Sequence, residues 1–362
     1  MRPKSRRLAV RKPNTSHPSV TIGLDVSDRW THLCALDAEG QCIERMRVAT
    51  RESALVEACA GYPRSRVVLE VGPHSPWVSR MLARLQYEVV VANPRRVKLI
   101  GRADRKTDRI DAETLARLGR MDPELLHPIA HRGEQAQKDL ALLRVRDGLV
   151  RARTQLIQRG RGLAKALGVR LPASTATGFA KRVREAGSGD VFPGMEELLT
   201  AIEQLCVSIR KLEHEIERLG AERYPETRRL RQVAGVGPIT SLAYVLTIED
   251  PRRFARSRDV GAYLGLTPRQ RESGEARPEL AISKRGDEFM RRLLIEAAHY
   301  TLGPFGPDSE LRRFGLRLVG QGGKRAKKRA VVAVARKLAV LLHRLWVTAE
   351  VYRPLQPAQR AA

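Results

Sequence analysis

The sequence predicts an α/β domain followed by a mainly helical region, and three observations support this prediction. Short β-branched runs alternate with helical patterns up to about residue 130. Beyond that point, apolar residues recur every three or four positions over long stretches. The chain of 362 residues is long enough for two or three domains. We therefore expect a basic disordered arm at 1–18, the α/β domain at 19–130, a helical spacer at 131–225, a further domain at 226–350 and a tail at 351–362.

The charge balance predicts a polyanionic partner. Lysine and arginine number 67 against 40 acidic residues, which gives a formal net charge of +27. Such an excess favours nucleic acid, because neutralising phosphates releases counterions. A membrane surface is not expected, since the sequence has neither a long apolar run nor a signal peptide. Aromatic residues make up only 4% of the chain, so contacts with the nucleic-acid backbone should dominate.

The four cysteines predict neither a zinc site nor a disulfide framework. They are Cys34, Cys42, Cys59 and Cys206, and none forms a CxxC pair with another. A reduced, cytoplasmic setting is therefore expected.

The α/β domain begins with three strand candidates, at 19–25, 30–36 and 42–49, which we expect to form an antiparallel meander. The turn Asp37-Ala-Glu-Gly40 separates the second from the third. A helix at 52–59 should follow and end at the next glycine.

Two continuous apolar runs, at 67–72 and 87–92, predict buried strands. A helix at 76–85 lies between them, and another helix begins near Asp108. The resulting order, βββαβαβα, is the order of the ribonuclease H-like fold.

Four acids fall where that order would bring them together. Asp25 ends the first strand, and Glu70 lies on the strand expected beside it. Asp108 and Asp111 are three residues apart on the last helix, so they share one face. Paired carboxylates in basic surroundings indicate a divalent metal ion and phosphodiester chemistry.

Each acid also has a structural interpretation. Thr107 could cap the last helix, whose first turn favours acids such as Asp108. Glu70 could instead pair with an arginine, and Asp25 could simply end a strand. Four acids in matching places favour the metal site over these separate explanations.

The middle of the chain predicts two heptad helices. The first is at 134–167, and the second spans 198–219 with a stricter repeat. The stretch 172–194 between them is rich in small and polar residues and indicates a loop. The pair could form an antiparallel hairpin within the chain or a coiled coil between subunits. The apolar stripes are Leu142, Val145, Leu149, Ala152, Leu156 and Leu163, then Leu198, Ile202, Leu205, Ile209, Leu212, Ile216 and Leu219.

The C-terminal third contains a glycine turn that resembles a helix-hairpin-helix element. Gly235 and Gly237 would leave backbone N–H groups free at a helix N-terminus, which suits a phosphate. A Gly-x-Gly turn between helices can also be purely structural.

An arginine-rich loop contains Ser273 directly before a glycine. A serine can attack phosphorus when its proton is removed, and guanidinium groups stabilise the charge that develops. Chemistry alone makes Ser273 one loop serine among several. The basic and glycine residues that we expect to contact nucleic acid are Lys106, Gly235, Gly237, Arg269, Arg271, Lys284 and Arg285.

Taken together, these motifs resemble the DEDD transposases of the IS-one-ten type of insertion sequence, over a little over half of the chain. The N-terminal matches are Gly-Leu-Asp25-Val, Leu-Glu70-Val-Gly72, Asn93-Pro94 and Lys106-Thr107-Asp108-x-x-Asp111-Ala112. The C-terminal matches are Gly235-Val-Gly237-Pro-Ile-Thr, Tyr263-Leu-Gly-Leu-Thr-Pro268, Ser273-Gly274 and Ile282-Ser-Lys-Arg-Gly286.

The resemblance implies a RuvC-like domain in which Asp25, Glu70, Asp108 and Asp111 bind Mg²⁺, with two ions per site. It implies that Ser273 becomes joined to DNA during strand exchange. It also implies a homo-oligomer, a dimer or tetramer, and a structured non-coding RNA as guide. The expected location is the bacterial cytoplasm, in association with the nucleoid. The alternative activity is a junction-resolving endonuclease that uses the same acids with water as nucleophile, and a non-catalytic binding protein is the third possibility.

Overall fold

The computed structural model describes residues 19–93, 108–269, 280–320 and 322–355, and only the backbone of 108–110 and 324. The chain divides after Arg132 into two compact units. The predicted arm at 1–18 lies outside the described residues. Within the described part, no helix is both long and apolar enough to cross a membrane.

The first unit is built on a mixed five-stranded sheet. The strands are β1 (Thr21–Val26), β2 (Trp30–Leu36), β3 (Cys42–Ala49), β4 (Arg66–Glu70) and β5 (Glu88–Ala92). Their order in the sheet is β3-β2-β1-β4-β5. The first three strands pair antiparallel, whereas β4 is parallel to both β1 and β5. The predicted meander followed by two buried strands is confirmed, and the sheet is compatible with a ribonuclease H-like fold.

Three helices cover the two faces of this sheet: α1 (Glu52–Ala60), α2 (Ser75–Arg84) and α3 (Asp108–Met121). The α1 and α2 side chains Leu55 and Val78 pack with Ile22 and Leu24 of β1. Side chains alternate between the faces of a strand, so Gly23 and Asp25 belong to the opposite face. That opposite face is covered by α3 and by a 3₁₀ turn at Pro123–Leu126.

The described residues of the second unit are mainly helical, with one isolated β-bridge between Pro268 and Ile282. Its helices are α4 (Glu134–Ala166), α5 (Phe179–Glu185), α6 (Met195–Glu222), α7 (Thr227–Leu230), α8 (Pro238–Ile248), α9 (Asp259–Tyr263), α10 (Glu288–Leu302), α11 (Glu310–Gly320) and α12 (Gly323–Thr348). A 3₁₀ turn at Pro251–Arg253 lies between α8 and α9.

The long helices α4 and α6 pack antiparallel against each other within one chain. Asp139 bonds to Arg223 at 3.0 Å, and Arg146 pairs with Glu213. The partner residue on α6 therefore has a lower number when the residue on α4 has a higher one, as expected for antiparallel helices. This arrangement corresponds to the hairpin alternative, and a coiled coil between subunits stays a prediction.

Two interpretations of this segment need correction. The stretch 172–194 is not all loop, because α5 forms there and buries Phe179 and Val183 against α6. The predicted stripe on α4 is not the buried face of that helix: Val145 is 54% exposed, whereas Leu143 is fully buried. The difference arises because α4 also packs against α8, so a simple two-helix repeat does not describe its buried side.

One apolar core joins the spacer helices to the C-terminal helices. Leu143 of α4 and Ile216 of α6 belong to the same cluster as Tyr244, Leu294 and Leu338. The Tyr244 hydroxyl donates to the Ala339 carbonyl at 2.7 Å inside this core. The predicted boundaries of the spacer and of the C-terminal domain stay predictions.

Candidate functional site

Asp25 and Glu70 occupy neighbouring positions on two parallel strands. The last aligned pair of β1 and β4 is Leu24 with Leu69, and the next residue on each strand is an acid. Adjacent strands lie only about 4.8 Å apart, so the two acids start from neighbouring backbone positions. They stand at the carboxyl ends of both strands.

Both acids belong to the sheet face that α3 covers. Gly23, two residues before Asp25, lies directly under α3, because a Cβ there would stand 1.9 Å from the Ala112 carbonyl oxygen. Val68, two residues before Glu70, lies under Gly119 of the same helix. Residues two apart on a strand share a face. Asp25 and Glu70 therefore belong to the face on which the predicted acidic helix lies.

The direction of α3 places its N-terminal end at the same edge of the sheet. Its C-terminal half lies over the start of the strands, since Arg66, the first residue of β4, donates to the Gly119 carbonyl at 2.9 Å. Arg117 contacts Gly40 in the β2–β3 turn, which lies at the same end. The helix thus runs opposite to β1, and its first turn lies towards Asp25.

Asp108 and Asp111 lie in that first turn. Asp111 directly precedes Ala112, the residue that packs on Gly23, and Asp108 is one turn before Ala112. The side chain of Asp108 lies outside the described residues. Among the side chains that are described, no three His, Cys, Asp or Glu residues lie close enough together to hold a metal ion. The four-carboxylate site therefore stays a prediction, supported by backbone placement.

Glu113, on the same helix, is held by arginines. It accepts from Arg117 at 2.7 Å and from Arg45 at 2.5 Å. These hydrogen bonds, that of Arg117 first, hold the pKa of the Glu113 carboxyl below its usual range. Glu113 therefore has a structural partner and is not a candidate ligand.

His32 is a neighbour of the site that the sequence patterns did not reveal. It stands opposite Asp25 in the β1–β2 register and is half-buried. Residues directly opposite each other on paired strands point to the same face of the sheet, so His32 shares the face of Asp25. In the sequence, His32 is only one residue of a strand whose side chains alternate between the two faces. That pattern does not distinguish a histidine at a functional site from a histidine packed on the sheet.

The second half of the candidate site is the segment that contains Ser273. Ser273 and Arg271 lie outside the described residues, as does Lys106. The two ends of the segment are described, and they pair: Ser283 donates its N–H to the Thr267 carbonyl at 2.8 Å, and Arg269 donates to Ala281 at 3.0 Å. We call the paired stretches 264–269 and 281–286 the hairpin base.

The hairpin base depends on two glycines and one buried arginine. Gly265 and Gly286 have φ angles of +69° and +79°. Cβ atoms at these positions would lie 2.0 Å from the carbonyl oxygens of Arg285 and Tyr263, respectively. Arg291 is 7% exposed and donates to both the Leu264 and Arg285 carbonyls, at 3.1 and 3.0 Å. One guanidinium thus joins the two arms of the base.

Arg291→Met should lower the free energy of unfolding by about 2–3 kcal/mol, because the buried Leu264 carbonyl and the partly buried Arg285 carbonyl both lose their charged donor. Chemical denaturation of the full chain measures this effect. Arg317→Met on α11 is the control, because Arg317 is exposed and should change stability by less than about 0.5 kcal/mol. Equal stability of the two variants would contradict the assigned role of Arg291.

The predicted cationic residues Arg269, Lys284 and Arg285 all lie on the hairpin base and are exposed. Lys284 adopts a φ of +53°, and its N–H donates to the Gly265 carbonyl at 3.2 Å. Their side chains are therefore presented from a defined backbone, beside the ends of the serine segment.

The glycine turn that we predicted as a phosphate site contains one glycine, Gly235, with a structural role. Gly235 has a φ of +87°, and a Cβ there would lie 3.1 Å from the Ala297 carbonyl on α10. Gly237 is exposed and is the N-cap of α8. The helix before this turn, α7, has only four residues. The helix-hairpin-helix element stays a prediction.

Comparison with known proteins adds the family to this geometry. The DEDD transposase model of IS110, described as "Transposase", matches residues 22–167, and the model of the transposase IS116/IS110/IS902 family matches residues 227–310. The chain belongs to the IS110 family of transposases. All four predicted acids fall inside the first match, and Ser273 falls inside the second.

Relatives of this transposase cover nearly the same length. It is 30% identical to the transposase of insertion sequence IS1328 from Yersinia enterocolitica, over 78% of this chain and 84% of that one. It is 28% identical to the transposase of IS1111A from Coxiella burnetii, over 92% and 91% of the two chains. The probable family 20 transposase of Pseudomonas aeruginosa is 28% identical, over 92% and 98%. The transposase is thus an insertion-sequence enzyme that acts on DNA, and its DEDD domain indicates use of a divalent metal ion.

Proposed function

We propose that this transposase cuts and exchanges DNA strands with a Mg²⁺ site formed by Asp25, Glu70, Asp108 and Asp111. One observation carries the proposal: Asp25 and Glu70 follow the last aligned pair of two parallel strands, on the face that α3 covers. The first turn of α3, with the other two acids, lies towards that edge. We assign the first unit to the ribonuclease H-like class on the same grounds.

The residues present suit a hard divalent cation. All four candidate ligands are carboxylates, and oxygen donors of this kind are what Mg²⁺ prefers. A pair of Mg²⁺ ions, when bound, would polarise the scissile phosphate and stabilise its developing charge. The protein's own contribution is placement: two acids come from a rigid sheet, and two come from a helix fixed on that sheet by the backbone contact at Gly23.

Ser273 is the proposed nucleophile of the exchange. Its hydroxyl oxygen would form a bond to phosphorus while the bond to a strand oxygen breaks, and the serine proton would pass by way of a base to that oxygen, which leaves as a hydroxyl. A later strand hydroxyl would displace the serine and restore it. The energy of the phosphodiester is kept throughout, so no external energy source is needed. The exposed cations of the hairpin base, Arg269, Lys284 and Arg285, would stabilise the phosphate during both steps.

Target choice by a structured RNA fits the composition. A net charge of +27 with 4% aromatic residues suits a protein that binds the phosphate backbones of nucleic acids, while base pairing with the RNA recognises the DNA sequence. We also propose that the enzyme acts as a homo-oligomer, in which the metal site and the Ser273 segment of different subunits complete one active site.

Removal of the metal ion tests the first part of this proposal. DNA carrying the ends of the element should be cleaved in Mg²⁺, left intact in excess EDTA, and cleaved again when Mg²⁺ is restored. Gel analysis of labelled strands measures the effect. Cleavage that persists in EDTA would contradict the metal site. Metal-dependent cleavage without any protein–DNA adduct would instead indicate an endonuclease that uses water.

A further inference from the structure

A groove in the second unit is lined by many basic side chains that have no role in the proposed metal site or in the serine segment. It encloses about 1630 Å³ and runs along α12, with α11 and the hairpin base as its walls. Seven lysine or arginine residues and two glutamates are among its described lining residues. We call it the α12 groove.

Three cations at the α12 groove have no described carboxylate partner. α12 contains no acidic residue from Gly323 to Thr348. In the described part of the chain, Arg258, Lys328 and Arg336 line the groove, are exposed and form no ion pair with a carboxylate. The groove glutamates, in contrast, have partners, as Glu350 shows with Arg344 at 2.6 Å. Three exposed cations of this kind in one groove fit a polyanion.

Two of the groove cations have defined positions. The stem of Arg336 lies against α9 at Gly261, where a Cβ would stand 3.0 Å from the Arg336 Cγ. Lys337 holds its Nζ 4.0 Å from the centre of the Phe314 ring. A cation and an aromatic ring are therefore presented together, which reduces the ordering that binding would require.

Part of the groove lining is apolar. Leu266, Phe314, Val332 and Leu341 are among its lining residues. A duplex keeps its bases stacked inside and offers phosphates and base edges, so apolar lining residues gain little contact from it. A single strand exposes the flat faces of its bases, which pack on apolar and aromatic side chains while the phosphates meet the groove cations.

We infer that the α12 groove binds single-stranded DNA beside the hairpin base. DNA is the substrate of the family, and a reaction that cuts and rejoins strands passes through ends with unpaired bases. Pro268 and Ile282 of the hairpin base form part of the groove wall, so a bound strand would pass next to the described ends of the segment that contains Ser273. The inference rests on the transposase family and is independent of the metal site and of the serine nucleophile.

The test is a binding measurement on the full chain in EDTA, where no metal-dependent cleavage interferes. The probes are fluorescein-labelled oligothymidylate of about 20 nucleotides, oligouridylate of the same length and a duplex of the same length. Lys328→Glu/Arg336→Glu should weaken oligothymidylate binding about 10-fold or more and duplex binding less than about 3-fold. For this double variant, the slope of log K for oligothymidylate against log salt concentration should be shallower by about 1.4, as expected when two single-strand phosphate contacts are lost.

The matched control is Arg159→Glu/Lys211→Glu, which makes the same charge change on exposed residues of α4 and α6. It should leave oligothymidylate binding within about 3-fold of the parent. Phe314→Ala is the uncharged variant, and it should weaken oligothymidylate binding about 5-fold or more without changing duplex binding. Thermal melting checks that each variant is folded.

Three outcomes would overturn the inference. Equal losses for oligothymidylate and duplex would show a general phosphate surface. Tighter binding of oligouridylate than oligothymidylate, lost in the same variants, would assign the groove to RNA. Unchanged oligothymidylate binding in both Lys328→Glu/Arg336→Glu and Phe314→Ala would show that the groove does not hold a strand.

Discussion

Asp25→Ala should reduce Mg²⁺-dependent strand cleavage by about 10³-fold or more, because it removes a carboxylate from the site that would hold the metal. DNA affinity should stay the same or rise slightly, since the change removes a negative charge from a strongly basic protein. Cleavage assays on labelled DNA and binding in EDTA measure the two effects separately.

The matched control for Asp25 is Asp28→Ala. Asp28 follows β1 by two residues, and its side chain is 92% exposed, with a contact to His74 at 3.4 Å. Cleavage by this variant should stay within about 3-fold of the parent, since an exposed loop acid of this kind contributes little. If Asp25→Ala cleaved DNA within 10-fold of the rate of Asp28→Ala, the activation free energies would differ by less than about 1.4 kcal/mol. Asp25 would then not be a metal ligand.

Metal binding itself provides an independent readout for the same residue. Carboxylates brought together without a metal ion repel one another, so Asp25→Asn should raise the melting temperature in EDTA. The parent should melt at a higher temperature when Mg²⁺ is added, because an ion that binds the folded state stabilises it. Asp25→Asn should lose most of this Mg²⁺-dependent shift. An unchanged shift would place the ion elsewhere.

Gly23→Ala should damage both stability and cleavage, although Gly23 has no side chain to contribute to the chemistry. The added Cβ would stand 1.9 Å from the Ala112 carbonyl oxygen and 2.7 Å from the Ala116 nitrogen. Both are backbone atoms of α3, so neither can rotate away, and optimal contact needs about 3.5 Å or more. The helix must therefore move off the sheet.

The expected cost of Gly23→Ala is about 3 kcal/mol of unfolding free energy, at the upper end for overpacking. Because α3 contains Asp108 and Asp111, a shift of about 1 Å should also lower cleavage about 100-fold. Denaturation and cleavage assays measure the two losses.

Gly61→Ala is the control for Gly23→Ala. Gly61 has a φ of −67°, and a Cβ there meets no atom within 4 Å. This variant should be neutral or more stable by up to about 1 kcal/mol. Equal stability of Gly23→Ala and Gly61→Ala would contradict the direct contact between β1 and α3.

The order of elements in the first unit could be predicted because each signal is local. β-branched runs, turn residues and helix stops lie next to the elements that they define, and the bounds of β2 and β3 agree with the prediction. The buried strand containing Glu70 was predictable for the same reason, since parallel strands covered on both faces are continuously apolar. The family resemblance was also recognisable because it rests on short local motifs, such as Leu-Glu70-Val-Gly72.

The packing of α3 on the sheet could not be predicted, because it depends on contacts between distant residues. A glycine in a strand indicates that another part of the backbone approaches closely, but the sequence does not identify Ala112 as the residue that approaches Gly23. Arg291 was likewise only one arginine on a helix, and its bonds to the Leu264 and Arg285 carbonyls appear only in the fold. The buried side of α4 was missed because three packed helices do not follow a two-helix repeat.

Formation of a covalent protein–DNA adduct tests the central claim most directly. The enzyme, supplied with its DNA, any guide RNA and Mg²⁺, should yield a labelled band that survives denaturation and disappears after protease treatment. The band should be absent with Ser273→Ala and present with Ser283→Ala, a serine of the hairpin base used as control. Absence of the band with Asp25→Ala would link the adduct to the metal site. An adduct that forms undiminished with Ser273→Ala would contradict the proposed mechanism.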